Sequence, residues 1–359
     1  MKIALLTSYP LDVRIGSGVV QTLLSYRQAF RESGHFCTII SPEIPGNLPQ
    51  DLTAFRKDFN KKLRTKDFKN FDIIIGSDFD GYLLNTNTLP PYYAINGGIL
   101  ADIVRFESGE SAKQLAMQAE LEKRNVQKAR RIFVPSQYTA RMVHKYYAVS
   151  HGKISVVYPG IDFGLWNNLL DSQPVLIKKT PSVLCVAKQY PRKGIADLIK
   201  MTGLLLEDRI KIKVDIVGGG PGLKENRNIS KSLGLDIYIT FHGDIGDRVQ
   251  IAGFFKNADI FCMPSYHETF GLVYLEALAS GIPVVAYDAA AVSEVIPKDC
   301  GLLCRTGNLM ELKRAVKSLI ENKSERIKMG RIGRAYAAQL TWERSADKIV
   351  SIINEDLKE

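Results

Sequence analysis

Two glutamates separated by seven residues, Glu268 and Glu276, offer the sharpest chemistry in this chain. They lie in the run Pro264-Ser265-Tyr266-His267-Glu268-Thr269-Phe270-Gly271-Leu272-Val273-Tyr274-Leu275-Glu276-Ala277. An apolar strand-like run ends near Met263, and a helical run begins near Leu272. The pattern therefore predicts a helix N-terminus at the mouth of a sheet. The amides around Phe270, Gly271 and Leu272 would then be free to bind an anion. Glu276 falls just over one turn in, and helical side chains lean towards the N-terminus. It is within reach of hydroxyls attached to a phosphate held there. Two carboxylates beside an anion are costly unless they bind hydroxyls or a cation. A glycosidase pair is the other chemistry to weigh, but nothing separates an acid from a nucleophile.

Lys188 and Lys193-Gly194 bracket a second loop between a strand and a helix. Two cations five residues apart suit the charge that builds on a departing diphosphate. A pair of solvated lysines is the plainer reading. Asp215-Ile216-Val217-Gly218-Gly219-Gly220-Pro221-Gly222 has the look of a dinucleotide fingerprint but lacks its spacing and its ribose-binding acid. A tight strand-to-helix turn explains it better. Gly16-Ser17-Gly18, before a helix starting near Val19, would let the main chain approach a ligand closely. No His-Glu-x-x-His or other metal spacing occurs. His144 and His151 look like surface positions, and His267 like a solvated loop residue.

The elements that must position these groups alternate twice over. The first set has strands at Lys2–Ser8, Phe36–Ile40, Asp72–Ile75, Tyr92–Ile95, Arg131–Pro135 and Ile154–Tyr158. After a looser stretch the second set runs Val183–Ala187, Lys213–Val217, Tyr238–Phe241, Ile260–Met263, Pro283–Ala286 and Gly301–Leu303. Helical spacing at Val19–Ser33, Ser111–Ala129, Gly194–Leu206, Val249–Asn257, Leu272–Ser280, Met310–Glu321 and Ser324–Leu340 fills much of the rest. Apolar strands alternating with helices predict an α/β chain with parallel sheets covered on both faces. The length, 359 residues, exceeds one ordinary core and suits two domains. In such sheets ligands sit outside the carboxyl ends of the strands, so a cleft between the halves is the expected site.

Composition narrows the class further. An apolar share of 45% and a charged share of 24% exclude a disordered chain. No apolar window is long enough to span a bilayer, and Met1–Thr7 reads as a strand instead of a signal peptide. Five cysteines, several in apolar runs, favour a reducing, cytoplasmic setting over a disulfide framework. The formal charge is +10, with a dense patch at Arg56-Lys57, Lys61-Lys62, Arg64, Lys66 and Lys69. Phe55, Phe59, Leu63 and Phe68 alternate with these cations. Residues 55–69 could thus lie on the inner face of an anionic membrane, or form an ordinary surface helix packed on the sheet. No nucleic-acid motif accompanies the charge.

The Glu268-to-Glu276 block closely resembles family 4 of the retaining glycosyltransferases. The resemblance extends over nearly the whole chain. Gly18-Val19 with Gly34-His35 is similar to the family's first loop and helix. Phe133-Val134-Pro135-Ser136 and Val157-Tyr158-Pro159-Gly160-Ile161-Asp162 resemble its hinge-proximal strands, and Trp342-Glu343 the start of its last helix. The family implies a GT-B architecture, two Rossmann-like domains facing across a cleft. Residues 1–164 would form an acceptor domain and 165–342 a nucleotide-sugar domain, with a helix of about 343–359 packing back on the first. It implies retaining, metal-independent transfer from a UDP-, GDP- or ADP-sugar to a glycan, lipid or small molecule, with no cofactor.

The resemblance also assigns roles. Lys188 and Lys193 contact the donor phosphates, although Lys188 stands where arginine is usual and lacks its bidentate fork. Glu268 binds the donor sugar and Glu276 the ribose. Gly18, with Gly16, approaches the phosphates, while Gly218 and Gly243 border the nucleotide. In Tyr93-Ala94-Ile95-Asn96-Gly97-Gly98-Ile99 the family commonly has a histidine near the reacting carbon. Here Asn96 takes that place, able to donate to a sugar hydroxyl but not to carry a proton near neutral pH. A sugar-nucleotide epimerase of the same fold, a pyridoxal-dependent phosphorylase and a non-catalytic sugar-nucleotide-binding protein are the other classes compatible with these features.

Overall fold

The computed structural model describes residues 1–11, 18–43 and 51–358. All twelve expected strands form, in two wholly parallel sheets of six. In the first sheet they are β1 (Lys2–Leu6), β2 (Phe36–Ile40), β3 (Ile73–Ser77), β4 (Tyr92–Ile95), β5 (Ile132–Val134) and β6 (Ile154–Val156). Their spatial order is β2-β1-β3-β4-β5-β6. The second sheet holds β7 (Ser182–Val186), β8 (Lys213–Val217), β9 (Ile239–Gly243), β10 (Ile260–Cys262), β11 (Val284–Tyr287) and β12 (Gly301–Cys304). Its order is β12-β11-β10-β7-β8-β9.

The chain separates into two compact units, Met1–Gly160 with Trp342–Glu359, and Ile161–Thr341. In the first, β3 is buried along its whole length, as a strand covered on both faces must be. Helix Trp342–Asp356 returns to this unit after the second is complete. Trp342 meets Tyr26 edge-on at 5.0 Å, Ser33 donates to Asp347 at 2.7 Å, and Arg131 grips Asp356. Asp356 is almost wholly buried there, so the grip is enclosed by the fold.

Helices Gln137–Tyr147, Phe163–Asp171 and Leu223–Ser232 were not expected from the spacing, whereas a helix weighed over residues 55–69 forms as Leu52–Leu63. Leu223–Ser232 explains why: the residues it buries are Asn226 and Ser230, so it lacks an apolar stripe. Helix Leu52–Leu63 corrects one member of the basic patch and, of the two readings of its apolar side chains, takes the one that packs them on the sheet. Arg56 is buried to 2% exposure and leaves the surface patch altogether. Phe59, Leu63 and Phe68 pack into the core of the first unit, so the expected apolar face for a membrane is already used. No described helix is long and apolar enough to cross a membrane.

Candidate functional site

In the second sheet the chain starts at β7, builds β8 and β9 on one side, then crosses back to place β10 on the other. The loops leaving β7 and β10 therefore diverge at a topological switch point, the usual ligand position in a doubly wound sheet. Lys193 leaves β7's loop and Glu268 leaves β10's, and their side chains meet at 2.5 Å. They are only 18% and 8% exposed.

Main-chain geometry forces that meeting. Gly194 has φ +68, and a Cβ there would lie 1.9 Å from the Pro264 carbonyl oxygen. Only glycine lets the two loops close so tightly. The Arg192 carbonyl accepts from the Tyr266 amide at 2.7 Å and the Ser265 hydroxyl at 3.0 Å. Asp197 accepts from the hydroxyls of Tyr266 and Tyr287 at 2.6 and 2.8 Å. These bonds hold Lys193 and Glu268 at fixed separation. His267, expected to be solvated, is buried to 3% because it sits within this laced loop.

The helix after β10 spans Leu272–Ala279. Gly271 caps it at φ +88 and, as a glycine, offers no side chain to its first amides. A Cβ at Gly271 would strike the Tyr274 ring at 2.6 Å, and that ring is anchored by its hydroxyl to the Met263 carbonyl at 2.8 Å. The glycine thus supplies the sharp turn from β10's loop into the helix, whose first amides have no partner within the helix. Phe270 is buried beneath the turn, and Leu272 is half-buried. Glu276 pairs with Arg248 at 3.2 Å. Burial pushes the Glu276 carboxyl up from its ordinary range, and Arg248 pulls it partly back. Arg248 also lies 5.2 Å above the Trp166 ring, whose Nε1 donates to Ser280 at 2.9 Å. Each carboxylate beside this helix end therefore has its own cation, as burial requires.

Lys188 is exposed on the same β7 loop. The next residue, Gln189, is fully buried and ties this loop to β8's. Its amide donates to Gly219 O at 2.6 Å, its side chain to Gly218 O at 2.7 Å, and its carbonyl accepts from Gly222 at 2.8 Å. Gly218, at φ +123, would put a Cβ 2.0 Å from the Ala187 carbonyl oxygen. Its amide donates to Gly243 O at 2.7 Å, across a register shift between β8 and β9. The glycine run is thus needed for close loop packing. Lys188, Lys193, Gly218, Gly243, Glu268, Phe270, Gly271, Leu272 and Glu276 all belong to the second unit, around the carboxyl ends of its strands.

Gly16 lies outside the described residues. Gly18 opens helix Gly18–Glu32 of the first unit, exposed, with nothing among the described residues within 4 Å of where a Cβ would stand. Asn96 follows β4 in the first unit and is 1% exposed. Its Nδ2 donates to Glu122 at 2.8 Å, while its Oδ1 is buried with no partner. One N–H of the amide is thus committed to Glu122, the other is left to donate, and the buried atom without a partner is the carbonyl oxygen. Glu122 also accepts from the Leu100 amide at 2.8 Å and from Tyr147, and burial pushes its carboxyl up to about 8.

Sequence reasoning missed Arg248, Gln189 and Glu122. Arg248 follows Asp247, the N-cap of its helix, and only the fold brings it to Glu276. Gln189 and Glu122 act through tertiary bonds that no local pattern records. Among the described residues no cluster of three or more His, Cys, Asp or Glu stands ready to hold a metal ion.

The family model described as Glycosyl transferases group 1 matches residues 169–336, and Glycosyltransferase Family 4 matches 88–164. A D-inositol 3-phosphate glycosyltransferase of Corynebacterium aurimucosum is 29% identical, over 62% of this chain and 56% of its own. A GDP-mannose-dependent alpha-(1-6)-phosphatidylinositol monomannoside mannosyltransferase of Mycobacterium tuberculosis is 30% identical, over 49% and 48%. The chain thus spans about half the length of the curated relatives it matches. Among solved structures, sucrose-phosphate synthase from Thermosynechococcus elongatus superposes with TM-score 0.81 at 20% identity, covering 99% of this chain and 98% of that one. Anabaena HepE, solved with UDP and glucose, gives 0.75 at 18% identity and 99% coverage of both. These likenesses establish the shared fold.

Proposed function

The chain belongs to the family 4 glycosyltransferases, the glycosyl transferases group 1, with the GT-B fold, and from that premise we propose that it transfers a sugar from a nucleoside-diphosphate sugar to an acceptor hydroxyl. The observation that carries this reading is the Lys193–Glu268 contact at the second sheet's switch point, beside a helix N-terminus whose N-cap is a glycine.

Each group has a part. Lys193 and Lys188 offset the negative charge that develops on the diphosphate as it leaves. The amides near Leu272 receive phosphate or sugar oxygens. Glu268 binds hydroxyls of the donor sugar, and the contact with Lys193 holds its carboxylate in place for that role. Glu276 binds the ribose hydroxyls. Gly18, against which no described residue packs, approaches the donor phosphates.

The bond between the anomeric carbon and the phosphate oxygen breaks, and a new bond forms from that carbon to the acceptor oxygen. The acceptor's proton passes to the departing phosphate on the same face. No enzyme side chain is then needed as nucleophile, and configuration is retained. Two lysines at the diphosphate make a bound metal unnecessary.

Melting curves with a panel of nucleoside diphosphates and nucleotide sugars, in EDTA, test the donor site. Ligand at a hundredfold its Kd adds about 2.7 kcal/mol of stability. A base-selective rise that survives EDTA supports the reading, and product analysis with that donor then tests transfer and stereochemistry. No rise with any nucleotide overturns it.

A further inference from the structure

Glu276 is held at both its main chain and its carboxylate, and one indole links the two holds. Helix Phe163–Asp171 begins at Asp162, whose side chain accepts from the Leu165 amide at 2.8 Å. Trp166 and Leu170, four residues apart, form its buried face. Trp166 is 1% exposed and meets the Phe255 ring edge-on at 5.4 Å. An indole has one N–H and can only donate. It donates to Ser280 Oγ at 2.9 Å, and the Ser280 hydroxyl in turn donates to the Glu276 carbonyl at 2.7 Å. The edge of the indole is thus pinned to the helix that carries Glu276.

The face of the same ring meets a cation. The Arg248 guanidinium lies 5.2 Å from its centroid, and Arg248 Nη2 donates to Glu276 Oε1 at 3.2 Å. The four residues close a circuit, from Trp166 through Ser280 to the Glu276 main chain and from Trp166 through Arg248 to its carboxylate. The Arg248 and Glu276 side chains are 41% and 20% exposed. So open an ion pair gains little by itself, because a long side chain gives up rotamer freedom to make it. An aromatic face beneath the guanidinium attracts and confines it. No described residue donates to Glu276 Oε2. The carboxylate is therefore anchored through one oxygen and open at the other, which suits the hydroxyls of a diol.

We infer that Trp166 is a positioning residue for ribose recognition: without touching the nucleotide, it fixes Arg248 and through it the Glu276 carboxylate. The inference rests on the donor reading above, in which Glu276 binds the ribose hydroxyls, and adds what aims that carboxylate. A side chain that only filled the core would leave ribose selectivity alone, and its loss would weaken all nucleotides alike.

UDP, GDP and ADP are titrated into the full chain by calorimetry at one fixed pH, each beside its 2′,3′-dideoxy analogue. The ratio of the two affinities reads the ribose contact, since base and diphosphate are common to both. In Trp166→Leu that ratio is expected to fall about fivefold, the scale of a cation–π contact, with dideoxy affinity unchanged. Trp166→Phe keeps a ring against Phe255 without the N–H and is expected to lie between Trp166→Leu and the wild type. It decides the matter if the leucine variant does not fold. Adding Trp166→Leu to Arg248→Ala is expected to lower the ratio no further, because the tryptophan acts through the arginine. Unmoved ratios in the folded Trp166 variants, a parallel loss of both affinities, or a further fall in the double variant would each overturn the inference and leave the donor site standing. Equal binding of both forms by the wild type would remove the ribose contact, and the inference with it. A wild type that binds none of the nucleotides would instead strike the donor reading itself.

Discussion

Lys193 and Glu268 are 75 residues apart in the chain and 2.5 Å apart in the fold. One follows β7 and the other β10, neighbours in space because the sheet reverses its winding between them. Neither side chain can be removed without leaving its partner's charge in a mostly enclosed place.

Lys193→Ala should therefore lower kcat by about 10²–10³, the scale of one lost preorganised donor to a developing negative charge. Glu268→Gln should lower activity too. The double variant should fall well short of the product of the two single effects, because each single change also strands the other charge. Steady-state kinetics on the four proteins measure this. Full additivity would show that the pair does not act as a unit.

Glu276→Ala should weaken nucleoside diphosphate binding by about 1–3 kcal/mol, as expected for lost hydrogen bonds to a charged group. Arg248→Ala should act differently. Without the guanidinium, burial raises the Glu276 carboxyl further, so nucleotide affinity should fall off at a higher pH than in the wild type as acid is added. Calorimetric titrations across pH separate the two. An unchanged pH midpoint in Arg248→Ala would mean that the arginine does not tune the carboxyl.

Gly194→Ala tests the loop closure. The added methyl would overlap the Pro264 carbonyl oxygen at 1.9 Å, in a backbone region that already costs a non-glycine residue about 1–2 kcal/mol. The loop must move, carrying Lys193 away from Glu268. Thermal denaturation should show a lower melting temperature, and activity should drop with it. A fully active, equally stable variant would rule out this close contact.

Glu122 gives the first unit a pH dependence. Its carboxyl sits near 8 in the folded chain against an ordinary 4.5, because burial penalises the charged form. The unfolded state therefore loses this proton first as pH rises. The stabilisation is complete below about pH 4.5 and declines as pH rises towards 8. Glu122→Gln removes the titration and should flatten that decline, with its gain over wild type largest above pH 8. Denaturant unfolding at several pH values provides the measurement, and parallel curves for both proteins would contradict it.

The strands and the second unit's site were legible for one reason. Buried parallel strands are near-continuous apolar runs, and a glycine turn opening a helix must be written in consecutive residues. Lys188, Lys193, Glu268, Gly271 and Glu276 all sit at such local punctuation. The polar helix Leu223–Ser232 escaped notice because its buried side chains, Asn226 and Ser230, carry no hydrophobic period.

What tertiary structure alone decided is which charges face one another. Arg56 looked like one more cation on a basic surface helix, and the fold buries it between two rings and two aspartates. Asn96 looked like a donor, and Glu122, far along another helix, commits one of its N–H groups and leaves the carbonyl unmatched. Local sequence dictates backbone direction, since propensity and period act over a few residues. Pairing of buried polar groups depends on which strands become neighbours, and only the closed sheet fixes that.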